Sequence, residues 1–179
     1  MRTDRLAREY PLTLRWTVFP LHPDTPEEGL ELADLFAGRE ADLPAMLARL
    51  EKVAAEVSLP LARRTRTYNS RRAQELGKWA ESLGQGEPFH RAVYHAYFAE
   101  GRNIALTDEL LRIAEGAGLP PEEARKVLRE GTWAAAVDDD WKRSRKAGIA
   151  AVPTHLCQGR RLVGFAPYED YQRLVEEGG

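Results

Sequence analysis

Residues Leu12-Thr13-Leu14-Arg15-Trp16-Thr17-Val18-Phe19 alternate apolar and polar side chains. That period of two predicts a strand with one wet face, at an edge or half exposed. Pro20, Pro23 and Pro26 end it, and ahead of it Arg5 to Tyr10 reads as the end of a helix broken by Pro11. The period then changes to three and four. Leu43, Met46, Leu47, Leu50, Val53, Ala54 and Val57 form an amphipathic stripe. Ala73, Leu76, Trp79, Ala80 and Leu83 repeat it behind an Asn69-Ser70 cap, and Phe89, Val93, Ala96 and Tyr97 mark a third helix. A fourth is predicted to be capped by Thr107, with Asp108 and Glu109 in its first turn and Gly118 near its end. Pro120-Pro121 opens a fifth, and Trp133 to Ala147 makes a sixth, stopped by Gly148.

The last thirty residues return to strand patterns. Val152-Pro153-Thr154-His155-Leu156-Cys157 and Arg161-Leu162-Val163-Gly164-Phe165 flank a turn at Gln158-Gly159-Arg160, which predicts a hairpin. Pro167 to Glu177 reads as a closing helix. The order is helix end, strand, helical block, hairpin, helix. The fold class expected is therefore α/β, half of a thioredoxin-like layout with a large helical insertion.

Composition narrows the function classes. The chain has 179 residues, 43% hydrophobic and 30% charged, which fits one folded domain and argues against disorder. A net charge of −2 predicts no nucleic-acid partner. No apolar run is long enough to span a bilayer, and Met1 to Arg5 is followed by no apolar leader core, so a cytoplasmic protein without a membrane partner is expected. Glu, Arg, Leu and Ala are abundant while Asn, Gln, Met and Cys are scarce, a thermophile-like composition. The one cysteine, Cys157, cannot form an internal disulfide. The histidines His22, His90, His95 and His155 show no ligand spacing, so no metal site is expected.

Several segments resemble the DsbA-like branch of the thioredoxin superfamily, which includes FrnE-type oxidoreductases and 2-hydroxychromene-2-carboxylate isomerases. Leu14 to Asp24 with Pro26-Glu27-Glu28-Gly29 resembles the family's second strand and its exit. Asn69 to Ala73, Trp79-Ala80, Phe89-His90, Ala96-Tyr97-Phe98 and Gly101-Arg102-Asn103-Ile104 resemble its helical insertion. Gly148 to Thr154, followed by Gly159 and Gly164, resembles its cis-proline loop and hairpin. The resemblance implies one DsbA-like domain over 1–179, its thioredoxin-like part in 1–27 and 148–179 and the insertion in 28–147. Relative to the family, the strand leading into Cys-x-x-Cys, or its Ser variant, is missing, and the sheet is incomplete. A late start and a shortened homologue both stay open. Either way strand edges lack ladder partners, which predicts a homodimer.

The resemblance also implies the site. Val152, Pro153 and Thr154 would line the substrate loop, with a cis Val152-Pro153 bond. Asn69, Asn103 and Asp108 resemble pocket-side positions, beside the plain readings of helix cap and first-turn charge. Cys157 reads best as a small buried hydrophobe. Trp16, Trp79, Trp133 and Trp141 read as core or interface anchors. No catalytic residue is expected in this chain. The family activity is thiol–disulfide oxidoreductase, and a glutathione-dependent isomerase-like protein or a non-catalytic binding module is the alternative. The partner expected is a thiol, peptide or small-molecule substrate. No cofactor is implied, apart from glutathione as an admissible ligand.

Overall fold

The helical middle is where pattern and structure agree most closely. The computed structural model describes residues 2–177 and divides the chain into two compact units, residues 22–137 and residues 1–21 with 138–179.

In residues 22–137 a short strand β1 (Leu30–Glu31) pairs antiparallel with β2 (Arg66–Thr67), a small sheet the pattern did not predict. Between them lie α2 (Leu32–Leu35), a 3-10 turn and α3 (Leu43–Glu56). Four helices follow: α4 (Arg71–Ser82), α5 (Gly86–Tyr94), α6 (Thr107–Gly116) and α7 (Pro121–Glu130). A π-helical turn at His95–Ala99 prolongs α5. The apolar faces of α4 to α7 close on one another. Leu76, Ala80, Phe89, Leu110, Ala114 and Ala124 are sealed from solvent in one cluster. The α3 stripe forms its helix, but Met46, Leu50 and Val57 stay exposed on it. Periodicity specifies a helix without specifying what covers it.

Two details correct the helix ends. Leu106, not Thr107, is the N-cap of α6, and Thr107 is its first helical residue. Ser70 is the N-cap of α4 without a side-chain capping bond; the Asn69 carboxamide oxygen accepts from the Arg71 N–H at 2.9 Å instead.

The other unit holds α1 (Arg2–Glu9), the continuation of α8 (Ala134–Lys146), strands β3 (Thr154–Cys157) and β4 (Arg160–Val163), and α9 (Tyr168–Glu176). The β3–β4 hairpin pairs Thr154 with Val163 and Cys157 with Arg160. Its two-residue turn has positive φ at Gln158 (47°) and Gly159 (82°), the geometry that matches strand twist. One face of the hairpin packs on α9. His155 meets the Tyr171 ring edge-on at 4.8 Å, and Leu162 joins Leu6, Ala166, Tyr168 and Tyr171. Arg160 donates to the carbonyls of Arg173 and Leu174 near the end of α9, where a cation is favoured. Arg161 does the same for α8 through the carbonyls of Ala147 and Gly148.

The strand expected at residues 12–19 is corrected. Residues 12–19 belong to neither sheet among the described residues, and the hairpin stands alone as a two-stranded sheet. A strand needs a ladder partner, and no other segment of the described chain supplies one. Trp16, expected to be an anchor, is 44% exposed.

Candidate functional site

The loop into the hairpin lies in one unit, and the two asparagines lie in the other. The Val152–Pro153 bond is cis. Val152 and Pro153 are exposed and Thr154 is half-buried. The Pro153 carbonyl accepts from the Gly164 N–H at 2.8 Å, which ties the loop to the strand exit beyond β4. The Thr154 hydroxyl donates to the Ala151 carbonyl at 2.6 Å. Together these bonds fix the loop while its apolar face meets solvent.

Cys157 lies at the far end of β3, half-buried and in no disulfide. On the same strand His155 is pushed below its ordinary range by burial, so its imidazole is neutral near pH 7. His155 and Cys157 share the hairpin face that packs on α9, since residues two apart on a strand point the same way. Neither lies on the face that carries Thr154.

In residues 22–137, Asn69 and Asn103 do one job twice. The Asn69 amide nitrogen donates to the carbonyls of Pro23 at 2.9 Å and Thr25 at 2.8 Å. The Asn103 amide nitrogen donates to the Glu27 carbonyl at 2.8 Å. Each oxygen accepts from the backbone two residues on, at Arg71 and at Ala105. The loop from Pro23 to Glu27 is thereby clamped by both. The pattern shows itself in sequence only as an Asn shortly ahead of a helix, which is why a capping role was the plain reading. Asp108 sits elsewhere. It is exposed in the first turn of α6 and lines a groove of about 280 Å³ with Leu111, Arg112, Glu115, Pro121 and Arg125.

Sequence reasoning missed an aromatic group around the π-helical turn. The Arg64 guanidinium lies over Tyr97 at 4.6 Å and Phe98 at 5.2 Å, and it donates to the Tyr97 hydroxyl. Tyr97 also shares a 3.0 Å bond with Thr67, and Phe98 stacks on the exposed Tyr94. The run Tyr94 to Phe98 was legible only as helix, because a π turn has no strong composition of its own. Among the described residues no group of three acidic, His or Cys side chains could hold a metal, and no helix is long and apolar enough to cross a membrane.

The DSBA-like thioredoxin domain profile matches residues 1–176. The chain belongs to that family. A crystal structure of a probable DsbA oxidoreductase, SCO1869 from Streptomyces coelicolor, superposes with a TM-score of 0.89 at 22% identity. The superposition covers 99% of this chain and 81% of that one, and it shows that the fold is shared. The uncharacterized protein YwbO of Bacillus subtilis is 25% identical over 100 residues, 55% of this chain and 50% of that protein. The matched stretch thus spans half the length of that curated relative.

Proposed function

We propose that this chain is a DsbA-family module that engages an extended thiol-bearing or peptide substrate at Val152-Pro153-Thr154 and does not itself perform dithiol–disulfide exchange. One observation supports the reading: the loop at Val152-Pro153, which resembles the family's substrate loop, is exposed and internally tied, in a sequence with a single, half-buried cysteine. Exchange needs an attacking thiolate and a second sulfur to resolve the mixed disulfide. Cys157 has no second thiol in this sequence and sits on the hairpin face opposite Thr154. The oxidoreductase activity named for the Streptomyces protein would extend to these residues only with a second sulfur from outside them, glutathione included. Within the family we set the chain beside the FrnE-type proteins, on the ordered segments from Leu14 to Thr154.

The test has two arms. Insulin reduction by the chain should equal that of Cys157→Ala, and turnover above that control overturns the non-exchanging assignment. Titration with an extended peptide and, separately, with glutathione should shift the amide resonances of Val152 and Thr154 first. A response confined to residues away from the loop would refute substrate engagement there.

A further inference from the structure

Arg64 stands between two backbone ties in the helical unit. The Ala62 N–H donates to the Phe98 carbonyl at 2.8 Å, and the Thr65 carbonyl accepts from the Leu32 N–H at 2.6 Å. The half-buried Arg64 side chain lies over the rings of Tyr97 and Phe98. Its Nη1 donates to the Tyr97 hydroxyl and reaches the Arg66 carbonyl at 3.5 Å. Tyr97 is held in turn by its 3.0 Å bond to the buried Thr67. The other edge of the guanidinium is unspent. Nε and Nη2 have no hydrogen-bond partner among the described residues, and neither is closed to solvent. Arg63 pairs with Glu51 at 3.2 Å and Arg66 with Glu31 at 2.9 Å, whereas no carboxylate among the described residues pairs with Arg64. The Nε and Nη2 N–H groups form a planar fork that matches a carboxylate. A fork already pinned through Nη1 and through its backbone loses little freedom on binding.

The surroundings select what carries the carboxylate. Arg63 and Arg64 line a groove with Leu47, Leu50, Leu61 and Ala62. Its volume of about 20 Å³ is far below the roughly 300 Å³ of a pocket that encloses a small molecule. The anion must therefore arrive on a chain that lies across the surface. Apolar side chains stand beside the fork: Leu50 is 39% exposed, and Tyr94, stacked on Phe98, is 55% exposed. We propose that Arg64 anchors a peptide-binding surface on the helical unit, its Nε–Nη2 edge taking a side-chain carboxylate of the peptide while Leu50 and Tyr94 take the apolar neighbours of that residue. The plain alternative is that Arg64 only covers Tyr97 and Phe98. That role engages the guanidinium through the rings and Nη1, and under it the fork binds nothing.

Titration of the full chain with the peptide acetyl-Ala-Leu-Glu-Phe-Ala-amide, followed by NMR on the arginine Nε–H resonances, tests this. Arg64→Lys deletes one of those resonances and so assigns it. The Arg64 resonance should move saturably with the Glu peptide. The same peptide with Gln in place of Glu should bind roughly tenfold more weakly, because the charge-assisted fork is lost. Arg64→Lys keeps the charge but not the fork, and it should weaken the Glu peptide by a similar factor with its helical circular dichroism kept. Equal affinity for the Glu and Gln peptides, a stationary Arg64 resonance, or saturation by acetate or phosphate alone at the same concentrations would each overturn the inference. Movement of the resonance on raising protein concentration without peptide would assign the surface to a second copy and overturn it as well. If Arg64→Lys fails to fold, the Glu and Gln affinities of the parent decide. A response confined to Val152 and Thr154, with Arg64 silent, would overturn this inference and leave the loop reading intact, whereas a response at Arg64 with the loop silent would do the reverse.

Discussion

In residues 22–137 the apolar faces of α4, α5, α6 and α7 meet one another, and Phe89 and Leu76 are closed to solvent. In the unit formed by residues 1–21 and 138–179, the hairpin packs one face on α9 and leaves Leu156 54% and Val163 52% exposed on the other. The difference follows from how each element satisfies its backbone. A helix closes its own hydrogen bonds, so an apolar stripe has only to find another stripe. A strand must find a ladder partner before its faces can be covered, and a lone pair of strands is marginal without added packing. The helical unit can build a sealed core from local patterns, whereas the hairpin depends on what α9 and α1 bring to it.

The sharpest way to break the comparison is to empty the helical core. Phe89 has no solvent exposure and packs within the α4–α7 cluster. Phe89→Ala removes its transfer free energy and leaves a cavity, at a cost of about 3–5 kcal/mol. Urea unfolding should show that loss as a lower midpoint with an unchanged slope. A loss below about 1 kcal/mol would mean that the cluster collapses around the gap.

A smaller effect is expected at the loop clamp. Asn69→Ala deletes the donors to Pro23 and Thr25 and the acceptor for Arg71. The expected cost is about 1–2 kcal/mol. Asn69→Asp should be no better, because it keeps the acceptor but sets a carboxylate against two carbonyl oxygens. Hydrogen exchange should localise the change to the loop of residues 23–29. Equal stability of Asn69→Asp and the parent would show that the carbonyls are satisfied by water.

Acid tests the two units together. Burial holds His90 in the helical unit and His155 in the hairpin below the ordinary value of 6.5, and burial lowers His22 as well. At His90 the Glu81 carboxylate opposes that shift and the Lys78 ammonium reinforces it. Such imidazoles bind fewer protons folded than unfolded, so stability is complete above about pH 6.5 and declines as pH falls through the folded values. Urea midpoints should drop between about pH 7.5 and about pH 5.5. His90→Gln and His155→Gln should each flatten that slope, and an unchanged slope in both would assign the decline to other groups.

How far these features were legible follows the same division. The helices of the middle, the hairpin with its turn at Gln158-Gly159 and the closing helix stand in the sequence, because each is written in local periodicity and turn chemistry. The alternation of residues 12–19 was equally plain, but a pattern states only that a segment would suit a ladder. It cannot say whether the rest of the chain supplies one. At the candidate site, Val152-Pro153-Thr154 stands out only by its likeness to the family loop. The role of Asn69 and Asn103 was hidden, since their targets are the backbone carbonyls of Pro23, Thr25 and Glu27, tens of residues away. A carbonyl acceptor leaves no mark on residue type.

The smallest effect belongs to the hairpin's open face. Leu156 lies opposite Arg161 in the ladder, and it is 54% exposed. Truncating it removes side-chain atoms that already meet water, so neither a cavity nor a large transfer term arises. Leu156→Ala should change stability by no more than about 0.5 kcal/mol, roughly a tenth of the upper cost at Phe89. Both substitutions remove a large apolar side chain, so surroundings rather than chemistry set the ratio. If Leu156→Ala instead cost about 2 kcal/mol or more, this face would be covered in solution, because only a buried leucine loses that much. Repeating the measurement over a tenfold range of protein concentration separates the two ways of covering it. A cost that grows with concentration belongs to an interface between molecules, and a constant one belongs to packing within a single chain.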